Sequence, residues 1–359
     1  MKKQPSVIHP IRQAVPAPDS IIDVHGQAAF GTFSNEFKEF NFLEAKSTSF
    51  FPSFLNRFRF TAWQAIEVHF SEGILLSAVA DMVIFGKMLN VFYEKTTGKV
   101  YSWDTTLSKK QTVIAENLLQ GNRSSGQHKK GNIVFENHLE QGACAFWGDH
   151  KTSSDTLSYH FALQRISLPS IVSIPLSPNR PVYTQKDFCR AKGHITINGT
   201  TYHSDENTTA IIDDHRGYYP RKSHYDWVTT LGKYPLWEKE EFFALNITRN
   251  QSMDQNKYNE NLFWLENSSH LLPPVRFEKS IPMKDFKTHA VWKIHDDHDH
   301  VNVLFHINSV YPMILNRLVV KTEYYIVFGH LEGYVKNAEG QRYPLEGMIG
   351  MGEDKSLLF

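Results

Sequence analysis

Several things are scarce in this 359-residue chain, and each scarcity excludes something. There are two cysteines, Cys144 and Cys189. They form no CxxC and no zinc-finger spacing, and a disulfide framework is not expected. Net charge is zero, with 38 Lys and Arg against 38 Asp and Glu. No overall field draws the protein to nucleic acid or to an anionic membrane. Long apolar runs are missing too. The greasiest stretch, GILLSAVADMVIFGKMLNVFY, is interrupted by Asp81, Lys87 and Asn90 and reads as paired strands rather than a span. The N-terminal MKKQPSVIHPIRQAVPAPDS has two lysines with no apolar segment behind them, so no signal peptide is expected and the protein reads as cytoplasmic. No GxSxG, HExxH or dinucleotide-binding fingerprint occurs.

What is present is aromatic and β-forming. There are 25 Phe and 15 Tyr, which suits an all-β protein with a large interior. HITINGTTYH alternates apolar and polar residues and then turns at Asn-Gly. VFYEKTTGKVYSW and AVWKIHDDHDHVNVLFHI each give two strands around a polar turn, and Val301, Val303, Phe305 and Ile307 share one face at period two. KKQTVIAENLLQGN fits a short amphipathic helix ending at Gly121 or a strand. Pro175, Pro178 and Pro181 within SIPLSPNRPVYT mark a boundary, dividing the chain into residues 1–175 and 176–359. Each half is expected to form a barrel or a sandwich. The proline-bearing first forty residues are expected to drape over the surface.

The densest chemistry lies in IIDDHRGYYPRKSHYDW, residues 211–227. Read as a strand, Thr209 to Arg216 puts Asp213 and His215 on one face and Asp214 and Arg216 on the other. Burial of Asp213 beside His215 would raise its pKa and make it an acid or base. Asp214 with Arg216 is a ready structural pair. Gly217 and Pro220 then imply a turn exposing Arg221, Lys222 and His224, with Tyr225 and Trp227 as walls. Convergent polar groups among aromatics describe a small-molecule pocket; a buried ion network joining two domains is the competing description.

YTQKDFCRAKGHITING, AIIDDHRGYYPRKSHYDWVTTLG, NLFWLENSSHLLPPVRFE and the terminal GMIGMGEDK resemble the DUF2804 family, which is uncharacterised. Its D-x-x-R-G-Y-x-P-R…W core falls on Asp213, Arg216, Gly217, Tyr218, Pro220, Arg221 and Trp227. The chain departs from the family at Tyr225 and Asp226, where Trp and Asn are common. The core's pairing of Asp213 with Arg216 would need a bulge near Asp214. The family is distantly similar to double-lipocalin proteins such as carotenoid hydratases, AttH-type proteins and fungal cyclases. That resemblance implies two lipocalin-like antiparallel barrels packed together, with a hydrophobic-ligand site in or between them.

The expected function is binding of a lipid-like or isoprenoid-like small molecule, with conversion by hydratase, cyclase or isomerase chemistry. A non-catalytic carrier and a carbohydrate-active enzyme with paired carboxylates are the alternatives. Asp213, His215 and Arg216 are the catalytic candidates. Tyr218, Arg221, His224, Tyr225 and Trp227 are binding candidates, together with Lys186, Glu266, Glu353 and Asp354. No cofactor and no metal is implied. HDDHDH, residues 295–300, is expected to be a polar hairpin turn, and the glycines of GMIGMGED to relieve crowding rather than hold phosphate.

Overall fold

The computed structural model describes residues 12–46, 59–82, 84–233, 241–316 and 321–358. Among these residues there is no α-helix, and the helical elements are single 3-10 turns. The segment that fitted either helix or strand is a 3-10 turn at Lys109–Gln111 and a two-residue strand at Thr112–Val113, followed by irregular chain. Consecutive β-branched side chains at 112–114 disfavour the helix, and Ala115 and Leu118 are buried without it.

The first sheet begins with the meander β1 (Phe60–His69), β2 (Gly73–Asp81), β3 (Gly86–Glu94) and β4 (Val100–Leu107). A second meander follows: β5 (Asn122–His128), β6 (Gly131–His138), β7 (Ala143–Lys151) and β8 (Thr156–Arg165). β9 (Ser170–Ser177) forms a hairpin with the long β10 (Arg180–Ile197), and β11 (Thr209–Tyr218) joins the two meanders by pairing with β10 and β1. The sheet curls into a nearly closed barrel. Its two ends meet where Leu107 and Met88 pack against Gly126.

The second sheet runs β12 (Lys222–Lys233), β13 (Phe242–Arg249), β14 (Leu262–Leu265), β15 (Ser268–Leu271), β16 (Arg276–Lys279), β17 (Ala290–His295), β18 (Val301–Asn316), β19 (Lys321–Lys336) and β20 (Ile349–Leu358). Its order in space is β15-β14-β13-β12-β20-β19-β18-β17-β16, a half-barrel around its own core. The described residues are therefore all-β, built of two largely antiparallel sheets, the first a nearly closed barrel and the second a half-barrel.

Two expectations need correction. The proline stretch does not separate sheets. Pro175 and Pro181 face each other across the β9–β10 hairpin, where a register shift accommodates them, and the chain changes sheet between Tyr218 and Lys222. Nor do residues 12–40 merely cover the surface, while residues 1–11, with Pro5 and Pro10, lie outside the described residues. Ile21, Ile22, Phe33, Phe37 and Phe42 are fully or nearly fully buried against Ile171, Tyr183 and Tyr218. Five large apolar side chains within about twenty residues gain more from burial than a solvated strap would.

Both interiors are filled. The first holds Trp103, Phe135, Phe146 and Phe161, with a polar chain running through it. Ser77 bonds Tyr159 (2.7 Å), Tyr159 donates to Asn90 Oδ1 (3.0 Å), and Asn90 and Thr105 flank His150 at 3.3 and 2.8 Å. Burial lowers the His150 pKa to about 4 from 6.5. The folded state thus takes up its proton later than the unfolded chain. The stability this represents is complete above pH 6.5 and is lost as pH falls toward 4. By linkage it amounts to about 3 kcal/mol. Urea unfolding at pH 7.5 and pH 4.5 should show a drop of that order, and His150→Gln should flatten it.

Candidate functional site

With both cores packed, an open space remains between the sheets among the described residues. A cleft of about 590 Å³ separates the outward faces of β11, β1 and β2 from those of β12, β20 and the distal β18–β19 hairpin. That is within the usual range for a small-molecule site. Period-two alternation creates it. In β1, Gln64, Ile66 and Val68 point into the first barrel, while Trp63 and Ala65 face the cleft. In β20, Glu353, Lys355 and Leu357 face the cleft, leaving Asp354 and Ser356 to the other side. Gly350 and Gly352 allow β12 to lie close, since a Cβ on either would meet the carbonyls of Thr229 or Trp227 at 2.5 and 2.8 Å. Two apolar clusters join the sheets. One centres on Tyr93 stacked on Phe328 (4.7 Å), the other on Phe188, Leu231, Phe242 and Trp264.

The polar floor starts from β10 and β11. Lys186 Nζ donates to Asp213 Oδ1 (2.5 Å) and sits 3.0 Å from His215 Nε2, which is 3.1 Å from the same carboxylate. His215 stacks on Trp63 (4.7 Å, 10°), and its Nδ1 lies 3.3 Å from the Tyr219 hydroxyl. Glu260, just before β14, closes the group. Its Oε1 is 3.8 Å from both Lys186 Nζ and His215 Nε2 and makes no hydrogen bond. The main chain at Glu260 is tied in place through Asn246, which accepts from Trp227 Nε1 (2.7 Å) and donates to the Glu260 carbonyl (2.8 Å).

Across the cleft, Glu353 accepts from the Tyr225 hydroxyl at 3.0 Å and from the Tyr324 hydroxyl. Lys355 lies over the rings of Tyr324 (4.5 Å), Trp63 (5.3 Å) and Tyr225 (5.4 Å).

The two ends of this cleft titrate differently. Burial works against charge on Asp213, but His215 and Lys186 outweigh it and hold the carboxyl well below its ordinary range. Burial likewise opposes the Lys186 ammonium, and Asp213 and Glu260 reverse this, leaving its pKa raised. This end is a fixed ion pair. At the other end burial prevails. It raises the Glu353 carboxyl despite Lys355 and Tyr324, and lowers the Lys355 ammonium despite Glu353. The phenols of Tyr219, Tyr225 and Tyr324 are also pushed up by burial. Burial alone was expected to raise the Asp213 carboxyl, but Lys186 and His215 outweigh it there; the cleft-lining carboxyl it does raise is Glu353.

The predicted residues divide by strand face. Lys186, Asp213, His215, Tyr225, Trp227 and Glu353 line the cleft. Arg216 does not. β11 stays in register with β1 and β10 from Thr209 to Gly217, so the bulge that would bring Arg216 to Asp213 is absent. Arg216 turns into the first barrel, bonding Asp214 at 2.7 and 3.0 Å and the Ala115 and Glu116 carbonyls, with Phe40 beneath its guanidinium. Gly217 is needed for the close strand pairing, since its φ is +154° and a Cβ would lie 2.2 Å from the Pro181 carbonyl.

Tyr218 donates to the Phe42 carbonyl (2.7 Å), which anchors the N-terminal segment. Arg221 is exposed and lies outside the lining. Glu266 pairs with Arg190 at 2.7 Å on the surface. His224 and Asp354 face the mouth of the second half-barrel. There, with Asp226, they offer three ligand atoms close together, but Lys279 and Arg249 already supply cations to Asp226 and Asp354. In the HDDHDH run Asp296 accepts the backbone N–H groups of His298 (2.8 Å) and Val301 (2.7 Å), which makes it a polar turn. Trp63, Tyr219, Glu260, Tyr324 and Lys355 were not singled out in the sequence. For Lys355 the signal was its same-face spacing from Glu353; Trp63 and Tyr324 had only their strand context, Tyr219 only its place in the 211–227 stretch, and Glu260, in a loop, had none.

A family model described as a domain of unknown function, DUF2804, matches residues 12–359. No curated protein matches the chain. Among solved structures, kievitone hydratase from Nectria haematococca is 8% identical, with a TM-score of 0.49, covering 83% of this chain and 88% of its own. CghA with Sch210972 is 10% identical, with a TM-score of 0.49, covering 96% and 97%. CghA alone is 11% identical, with a TM-score of 0.49, covering 97% of each chain. Likenesses at that level carry no argument about chemistry here.

Proposed function

The chain belongs to the DUF2804 family, and from that premise and the cleft geometry we propose that it binds a hydrophobic or amphipathic small molecule between its sheets and transforms it by acid–base chemistry of the hydratase, cyclase or isomerase kind. One observation carries the reading. A carboxyl with a raised pKa, Glu353, sits in an apolar cleft beside a lysine with a lowered one, Lys355. Such paired shifts bring a base and an acid toward the same working pH. Aliphatic walls from Leu76, Leu89, Ile174, Val182 and Met313 suit an apolar skeleton. Glu353 takes a proton from the substrate, or from water attacking it. Lys355 supports the negative charge that develops, or donates a proton of its own to the product, which it regains when Glu353 gives up the proton it took. Lys186, anchored by Asp213, holds a polar end of the substrate.

A glycosidase reading is less well supported. It needs one protonated carboxyl and one ionised carboxylate open to the sugar or to water, and the ionised one here, Asp213, is already engaged by Lys186 and His215. Extraction and mass spectrometry of whatever copurifies with wild type and with Glu353→Gln tests the proposal. The variant should hold a compound that added wild-type protein converts to one differing by water, or to an isomer. The same compound from both proteins, left unchanged on mixing, would make the protein a carrier.

A further inference from the structure

We propose a second site, for a borderline divalent metal ion such as Zn2+, on the outer face of the second sheet at His306, His330 and Glu332. His306 on β18 and His330 on β19 are directly paired across the two strands. Their rings stack at 4.8 Å with 6° between planes, so the exposed His330 ring must turn about its side-chain torsions before both Nε2 lone pairs meet at one ion. Glu332 lies two residues beyond His330 on the same strand and the same face. One ligand atom from each of the three lies within 4.8 Å of the others.

The spacing suits a metal. Donors about 2.0–2.1 Å from a tetrahedral zinc are about 3.3 Å from one another. His306 Nε2 is 3.4 Å from Glu332 Oε2, and His330 Nε2 is 3.9 Å from Glu332 Oε1. A second observation points the same way. His306 Nε2 is shielded from solvent and makes no hydrogen bond, which is costly for a ring nitrogen unless something occupies the space beside it. His289 stacks on the other side of His306 (5.8 Å) and fixes that ring from behind. Two imidazoles and a carboxylate are a donor set for zinc or a neighbouring transition ion rather than for magnesium.

The site is independent of the cleft. It does share the β18–β19 hairpin, whose register shifts between Ile307 and Ser309 and whose distal half supplies Met313, Ile314 and Tyr324 to the cleft wall. A bound ion would clasp the two strands next to that irregularity.

Calorimetric titration of the full chain with Zn2+ at pH 7.5 tests the proposal, with Mg2+ as the comparison ion. One saturable Zn2+ site is expected, at least tenfold weaker in His330→Ala and in Glu332→Gln, and unaffected by His224→Gln at the other His/Asp cluster. Both His330 and Glu332 are exposed, so the variants should unfold thermally like wild type without metal. Co2+ in place of Zn2+ should give the visible absorption of a four-coordinate site in wild type alone. Unsaturable weak binding, or a site that survives in His330→Ala, would overturn it.

Discussion

Glu353→Gln should lower turnover of the cleft's substrate by about 10²- to 10⁴-fold, the usual contribution of a positioned acid–base group, with little change in binding. Glutamine keeps the shape, its oxygen accepting from one of the two tyrosines and its NH2 donating to the hydroxyl oxygen of the other, so the loss falls on kcat rather than KM. Tyr324→Phe removes one of the two hydroxyls that donate to the carboxylate and should raise the Glu353 pKa further. The pH profile gives the sharper test. As a base, Glu353 works when ionised, so activity rises as pH climbs through a pKa lifted above the ordinary 4.5. Lys355 works when charged, so activity falls as pH passes a pKa lowered from 10.5. The resulting bell should be narrower than two unperturbed groups would give, and Glu353→Gln should erase its acid limb. An unchanged acid limb in that variant would remove Glu353 from the reaction.

Lys186→Met should destabilise the fold by about 3–5 kcal/mol, the range for removing one partner of a buried ion pair. The lysine side chain is 3% exposed and faces Asp213 and Glu260. Without it, two carboxylates are left at the junction of the sheets with a diminished positive environment. The urea midpoint should fall, and Lys186→Met with Asp213→Asn should recover much of the loss, because the second change removes the stranded charge. A pH series separates this from lost packing. The depressed pKa of Asp213 represents stability present above the unfolded carboxyl range and lost as pH falls through the folded value. Lys186→Met should therefore lose most near neutrality and much less in strong acid. A uniform loss at all pH values would mean that the lysine acts through its alkyl chain.

Much of the architecture could be read from period-two patterns, because half-exposed antiparallel strands write their two faces into alternate residues. The split of Asp213 and His215 from Asp214 and Arg216 followed from that rule and is what β11 shows. The family motif was the weaker guide, since it joins Asp213 and Arg216, which serve different compartments. Sequence could not place Glu260 or Trp63 beside His215. Trp63 meets His215 as its direct partner across the β1–β11 ladder, a pairing between strands far apart along the chain, and Glu260 arrives from the loop before β14 when the second sheet packs on the first. Nor could it separate Glu353 from the other acids, since nothing local records that Tyr225 and Tyr324 will bracket it. The prolines misled for a physical reason: a hairpin end at a sheet edge tolerates them as well as a linker does.

The cleft is bounded by the backs of two sheets whose fronts are already occupied by their own cores. A substitution at Ala65, Ala78, Leu89 or Met313 therefore reshapes the chamber while leaving both barrel fillings alone. Ligand preference in such a molecule can be redesigned by editing every second residue of a few strands, with foldability held by the residues in between.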